Sequence, residues 1–170
     1  MMKIVGSLML LCGCTGIGLQ QVKKMDKRVR TIQSMLCALD VMERELSFRV
    51  PLLEEMLLAA ARSTEGTTRE FFSFCRNELN KNRDKSFAEI WSRATGEQLV
   101  FLKKSDLDLI LALGDILGRY DCEGQQLAIG RVRSALEQVL STALAERNSR
   151  GKVYRVLGTT VGALLVILLL

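Results

Sequence analysis

Histidine is absent from this 170-residue chain, and proline and tryptophan occur only once each. The commonest general base and the commonest metal ligand are therefore missing. Aromatic residues make up 5% of the sequence, and scarce proline and aromatics favour helices over sheet. A glycine pair, Gly16 and Gly18, stands inside an apolar run rather than in a phosphate-binding loop. We therefore expect no enzyme, no cofactor and no small-molecule substrate.

The cysteines and the acidic pairs also give no indication of a catalytic or metal-binding site. The five cysteines, at positions 12, 14, 37, 75 and 122, form no CxxC motif and have no metal-ligand spacing. We interpret them as reduced structural thiols and expect no metal site. Asp106 and Asp108 are two residues apart and would point in different directions on a helix. Glu54 and Glu55 are interpreted as a solvated pair at a helix start.

The net charge of +5 could suggest a nucleic-acid partner. Much of the basic excess, however, lies beside the apolar runs, where signals of membrane topology belong. Aromatic residues also do not alternate with basic ones, as they do in proteins that bind single strands. We expect no nucleic acid partner.

The last part of the chain, residues 156–170 (VLGTTVGALLVILLL), carries no charge. As a helix rising roughly 1.5 Å per residue it would span about 22 Å, and Val153 and Tyr154 would bring it nearer the roughly 30 Å of a bilayer core. We predict a C-terminal transmembrane helix over residues 153–170. A buried core helix is the alternative. Gly158 and Gly162 form a small-xxx-small pair that would let another helix approach closely.

A second apolar run covers residues 4–19 (IVGSLMLLCGCTGIGL). It could be a transmembrane helix, a cleaved signal peptide or a lipoprotein signal that presents Cys14 for lipidation. The run continues past Cys14 through Ile17 and Leu19 instead of turning polar, so we favour an uncleaved transmembrane helix within residues 1–22.

Basic residues stand on the inner side of both runs: Lys23, Lys24, Lys27, Arg28 and Arg30 after the first, and Arg147, Arg150, Lys152 and Arg155 before the second. Since basic residues favour the cytoplasmic side of a membrane, we predict a cytoplasmic domain over residues 23–152 and a multi-pass protein whose termini both lie across the membrane.

Apolar spacing of three or four residues predicts helices throughout this domain. The expected ranges are 29–50, 52–62, 68–82 and 87–94, followed by helices opening at residue 105 and near residue 125. The single proline, Pro51, suits the start of the second of these helices. The predicted fold is all-α, an antiparallel bundle of about six helices flanked by the two transmembrane helices.

Several residues have a predicted place in this bundle. Thr67 and Ser86 are each followed three residues later by glutamate, which predicts N-caps. Gly114 and Gly118 predict close helix packing. A bulky set is interpreted as core, with an aromatic binding groove as the alternative: Phe71, Phe72, Phe74, Leu79, Phe87, Ile90 and Trp91. In the last helix the apolar set begins at Leu127.

The pattern LGxxDxxxQ occurs at residues 117–125, at a corner between two predicted helices. This motif resembles the stage III sporulation protein AB family of endospore-forming bacteria. The similarity continues at residues 3–6, 15–18, 39–46, 51–54 and 87–91 and in the closing apolar run, so it extends over essentially the whole chain. Tyr120, Cys122 and Gly124 depart from the residues expected in the corner.

The resemblance implies a mother-cell membrane protein of an export-like complex that links mother cell and forespore. It also implies a helical domain similar to the inner-membrane platform subunits of type II secretion machines, with a secretion-type ATPase of the stage III A complex and other stage III A membrane proteins as partners. Arg119, Asp121 and Gln125 form the candidate partner contact, although Asp121 could instead cap the last helix. A membrane-tethered adaptor or scaffold without a motor partner is the alternative function.

Overall fold

The computed structural model describes residues 2–48, 51–81, 84–117 and 122–169, and all regular structure in these ranges is helical. Six helices follow one another: α1 (Met2–Phe48), α2 (Leu53–Arg62), α3 (Gly66–Lys81), α4 (Phe87–Gln98), α5 (Lys104–Gly114) and α6 (Cys122–Leu169). The prediction of an all-α fold with about six helices is confirmed. The chain forms two compact units, a terminal unit (residues 1–29 and 142–170) and a central unit (residues 30–141).

The first and last helices are much longer than the others, with 47 residues in α1 and 48 in α6. The predicted N-terminal helix and the helix expected from Val29 are thus one continuous helix. No glycine or proline occurs between Gly18 and Pro51, so nothing in this polar stretch breaks the helix. The last helix, expected from Gln125, begins slightly earlier, at Cys122.

Among the side chains that the structure describes, no helix contains a stretch long and apolar enough to cross a membrane. Most of the two predicted spans falls outside this description, which omits the side chains of residues 1–15 and 161–170. The flanking transmembrane helices, and the domain boundaries at residues 22 and 152 that depend on them, stay predictions.

In the terminal unit, α1 and α6 are joined by two ion pairs. Arg28 Nη1 lies 3.0 Å from Glu146 Oε2, and Arg147 Nε lies 2.5 Å from Asp26 Oδ1. Arg28 is buried despite its charge. Because the later residue of α1 pairs with the earlier residue of α6, the two helices run antiparallel in this unit.

In the central unit, consecutive helices are joined by short connections and alternate in direction. The turn after α2 lies against the middle of α1, where Cys37 Sγ donates to the carbonyl of Ser63 and Thr68 Oγ1 donates to the carbonyl of Thr31, both at 3.5 Å. Consequently α1, α3 and α5 end, and α2, α4 and α6 begin, at one end of the central unit, which we call the corner end.

Aromatic side chains of α3 and α4 form the centre of this core. The fully buried Trp91 packs edge to face on Phe71 and Phe72, with ring centroids 4.7 and 6.0 Å away, and its indole N–H donates to the carbonyl of Ile110 at 2.7 Å. The prediction of a core rather than a groove is confirmed for these rings. The predicted close packing is confirmed at Gly114, where a Cβ would overlap the Trp91 side chain; Gly118 lies outside the described residues.

The two predicted N-caps have different outcomes. Ser86 caps α4 by accepting a hydrogen bond from the Glu89 backbone N–H at 3.3 Å. The prediction for Thr67 is wrong, because α3 already begins at Gly66, whose φ of +58° suits glycine. At α5, Asp106 accepts from the Lys103 backbone N–H at 3.1 Å, so a carboxylate secures the start of that helix.

Candidate partner-binding surface

Leu117 and Gln125, the first and last residues of the LGxxDxxxQ motif, lie at the corner end, where α5 ends and α6 begins. Leu117 is buried and Gln125, in the first turn of α6, is half-buried. Arg119 and Asp121 lie outside the described residues, so their expected contact and the capping role of Asp121 remain predictions. Gly158 and Gly162 lie four residues apart in α6 and thus on one face of that helix.

A chain of hydrogen bonds attaches the start of α6 to the last turn of α1. Gln126 Nε2 donates to Ser47 Oγ at 3.0 Å, and Ser47 Oγ donates to the backbone carbonyl of Glu43 at 2.9 Å. The start of α6 is therefore held against the end of α1. Sequence reasoning did not find this link, since the partners are far apart in the chain and neither belongs to a motif.

One arginine continues the contact between α6 and α1. Arg133 Nη1 lies 3.0 Å from Glu43 Oε2 and 3.6 Å from Asp40 Oδ1, and its Nε lies 4.0 Å from Glu137 Oε1. The Arg133 side chain is about one-third exposed, so solvent screens these pairs and each adds modest stability. Their main effect is to fix the register of α6 on α1.

A second polar contact at the corner end joins α2 to α3. Glu54 Oε1 accepts hydrogen bonds from Asn80 Nδ2 at 2.9 Å and from Arg76 Nη2 at 3.0 Å. The hydrogen bond from Asn80, together with that from Arg76, lowers the pKa of the Glu54 carboxyl. Glu54 lies in the first turn of α2 with a partly exposed side chain, as predicted, and it also joins α2 to α3. Arg76 and Asn80 are four residues apart on one face of α3. This spacing was the only sign in the sequence that both could contact the same carboxylate.

Large apolar side chains are exposed at and near this end. Phe48, at the end of α1, is 88% exposed and Leu52, before α2, is 71% exposed. Leu127, in the second turn of α6, is 63% exposed, although it belongs to the apolar set of that helix. The core face of α6 is instead formed by Ala128, Ile129, Val132, Leu136 and Ala143. Exposed apolar side chains clustered with polar ones are typical of a protein-binding surface.

The described residues offer no site for a metal ion: they hold no cluster of three potential ligands among histidine, cysteine, aspartate and glutamate. Cys37 is exposed and Cys75 is buried, and burial raises the pKa of the Cys75 thiol to about 12. A thiol that stays protonated is a poor nucleophile. Cys75 is thus a structural core residue.

The helical fold and the exposed apolar and polar side chains at one end of the bundle define an all-α protein with a candidate protein-binding surface. The family model "Stage III sporulation protein AB" matches residues 3–170, and the chain belongs to this family. The resemblance found in the sequence is confirmed. This is a sporulation assembly family and not a known enzyme family.

Two relatives show how far the similarity extends. The chain is 25% identical over 177 residues to "Stage III sporulation protein AB" of Bacillus subtilis (strain 168), and the alignment covers 100% of both chains. A solved structure titled "Stage III sporulation protein AB (SpoIIIAB)" has a TM-score of 0.64 and 24% identity, and covers 72% of this chain and 98% of its own. That structure supports the helical fold.

Proposed function

We propose that this protein is a non-enzymatic membrane platform of a sporulation export-channel complex between mother cell and forespore. It would couple a cytoplasmic secretion-type ATPase of the stage III A complex to the other stage III A membrane proteins. The family match along residues 3–170 supports a role in a stage III sporulation complex. The resemblance to platform subunits of type II secretion machines supports the coupling of an ATPase to membrane proteins.

The single observation that carries the coupling role is the exposure of Phe48 and Leu52 at the corner end. We propose that Arg119 and Asp121 take part in the same contact. A protein interface combines an apolar centre with a polar rim, and this end of the central unit supplies both kinds of side chain. We assign the ATPase contact to this surface, with Arg119, Asp121 and Gln125 in its rim.

The membrane setting rests on the two uncharged runs at the chain ends and on the exposed basic residues beside them. Arg28 and Arg147 are neutralised by Glu146 and Asp26, while Lys23, Lys24 and Arg150 are exposed. These remaining charges favour a multi-pass protein with its central domain in the cytoplasm, and the family places it in the mother-cell membrane around the forespore in this proposal. Gly158 and Gly162 would then pack against a neighbouring helix in the membrane.

The test is cross-linking of sporulating-cell membranes, mild-detergent purification of this protein and mass spectrometry of what accompanies it. We expect a secretion-type ATPase linked to the central unit, and we expect Phe48→Glu to reduce its recovery about tenfold, since a charge would enter the apolar centre. Val100→Glu is the matched control. Val100 is 64% exposed but lies between α4 and α5, at the end opposite the corner end.

Recovery of membrane proteins alone, with the ATPase present in the lysate, would contradict the coupling role and favour the adaptor or scaffold. Asp121→Ala separates the two interpretations of that residue. A lost helix cap would cost about 1 kcal/mol of stability with little change in ATPase recovery. A lost contact would reduce recovery while the melting temperature stays constant.

A further inference from the structure

Three side chains of α6 form a short row on the side turned away from the core of the central unit. Glu123, Leu127 and Arg131 are spaced by four residues and therefore lie along one face. All three are exposed, Leu127 by 63%. Glu123 and Arg131 form no ion pair with another described residue, so the row holds an acid and a base whose charges are not satisfied within the described part of the chain.

Leu127 and Arg131 form a ridge between two grooves of the central unit. An apolar groove of about 430 Å³ lies towards α5 and is lined by Ala112, Ile116, Gly124, Ala128 and Val132. A more polar groove of about 880 Å³ lies towards α1, with Glu43, Gln126, Gly130 and Ser134 in its lining. A ridge beside an apolar groove is the arrangement that lets one helix pack on another.

The order of the row is self-complementary. Glu123 stands four residues before Leu127 and Arg131 four residues after it, so each charge is roughly 6 Å along the helix axis from the leucine. When two such helices cross antiparallel at Leu127, Glu123 of each copy faces Arg131 of the other. Both ion pairs form at once, because a two-fold axis makes the contact reciprocal.

We propose that this face of α6 is a two-fold symmetric contact between two copies of the chain, centred on Leu127. Each Leu127 then packs in the apolar groove of the other copy. A different protein would need its own matching acid and base, whereas a second copy supplies them in the required order. The contact goes beyond the proposed ATPase docking, because it does not use Phe48 or Leu52, although Glu123 adjoins Gln125 in the rim of that surface.

Gly130 is consistent with this contact. A Cβ at Gly130 would meet only Glu43 Oε1, at an ordinary 3.8 Å, so packing inside the chain does not require glycine there. Glycine in a helix interior costs about 1 kcal/mol relative to alanine. Close approach of a second helix beside Leu127 would explain why position 130 holds glycine and not alanine.

The test places the photo-cross-linking amino acid p-benzoylphenylalanine at position 127 of the full-length protein, in cell membranes and in mild detergent. We expect a covalent dimer after irradiation, with mass spectrometry locating the link on α5 or α6 of the second copy. The same amino acid at position 100 is the control, because Val100 is equally exposed but lies outside the contact. No dimer is expected from position 100.

Charge reversal then tests the symmetry. Glu123→Arg alone and Arg131→Glu alone each bring two pairs of like charges together, so each should lower the yield of dimer about tenfold. The double variant restores both pairs in the opposite sense and should recover the yield. Melting temperatures of all three variants check that each is folded, and the two single reversals test the contact independently.

Three results would overturn the proposal. The first is a folded protein that gives no dimer from position 127. The second is a dimer whose yield is unchanged by either single reversal, because the copies would then meet in another geometry. The third is a cross-link from position 127 only to a different protein, which would make that protein the occupant of this face.

Discussion

Trp91 is fully enclosed because a neighbouring position has no side chain. A Cβ at Gly114 would come within 2.9 Å of Trp91 Cβ and still closer to the indole ring, so α5 can lie against α4 only with glycine at this position. The same approach lets the indole N–H reach the carbonyl of Ile110. One missing methyl group thus permits both the packing and the hydrogen bond of the largest core side chain.

We therefore predict that Gly114→Ala destabilises the protein by about 1–3 kcal/mol, the usual cost of an overpacked core. The measurement is the midpoint of thermal unfolding followed by far-UV circular dichroism. Gly96→Ala is the control, since nothing lies within 4 Å of a Cβ at Gly96 in α4. That change should be neutral or raise stability by up to about 1 kcal/mol through helix propensity. Equal losses from both substitutions would contradict this account.

Cys75 makes stability depend on alkaline pH. Burial raises the pKa of its thiol from 9.0 to about 12 in the folded protein, so the stabilising effect is complete below pH 9 and is lost as the pH rises towards 12. The free energy of unfolding should fall by up to about 1.4 kcal/mol per pH unit in this window. Cys75→Ala should flatten this slope. An unaltered slope in Cys75→Ala would refute the assignment.

At the scale of the helices, the start of α4 depends on one hydroxyl. Ser86 Oγ accepts from the Glu89 backbone N–H, so Ser86→Ala should cost about 1 kcal/mol of stability. Thr67, which fits the same pattern in the sequence, lies inside α3 with its hydroxyl 3.4 Å from that of Thr31. Thr67→Ala should therefore cost less. Denaturant titration of both variants is the measurement, and a larger loss at Thr67 would show that the cap lies there.

Local patterns predicted the helices well and their tertiary contacts poorly. Ser86 marked a helix start because a cap acts over one turn, whereas Pro51 lies two residues before α2 and not in its first turn. Leu127 fits the apolar spacing of α6 but is exposed, whereas the buried face of that helix includes Ala128 and Ala143. A repeat of three or four residues cannot decide between neighbouring faces when small residues form part of the core. The contacts of Glu54 with α3 and of Gln126 with α1 depend on packing of distant segments, which periodicity does not report.

The sequence likewise indicated only part of the candidate partner-binding surface. The LGxxDxxxQ motif drew attention to the corner between α5 and α6, which is where Leu117 is buried and α6 begins. The exposure of Phe48 and Leu52 gave no signal in the sequence, because an apolar residue beside a helix end is usually covered. Only the arrangement of the helix ends brings these residues to the corner end.

At the scale of the whole molecule, the two units differ in how much of the hydrophobic core each contains. Among the described residues, all the buried aromatic side chains belong to the central unit, as does the whole of α2 to α5. The described core of the terminal unit is small: Val22, Val29 and Ala143, with the buried Arg28 paired to Glu146. The stability of the helical bundle should therefore come from residues 30–141.

We predict that a fragment of residues 30–141 folds by itself into a helical protein that unfolds cooperatively. Trp91, the single tryptophan, reports on its core and should emit at the short wavelengths of a buried indole in both the fragment and the full chain.

A fragment of residues 53–141 is the matched control. It keeps Trp91 and its aromatic neighbours but lacks α1, which supplies Ile32, Met35, Leu39 and Met42 to the core. Burying each such side chain contributes about 1.5–3 kcal/mol, so without them the shorter fragment should lose cooperative unfolding. If the longer fragment also failed to fold, the bundle would depend on the terminal unit, and the two long helices would be required for the fold as well as for attachment to the membrane.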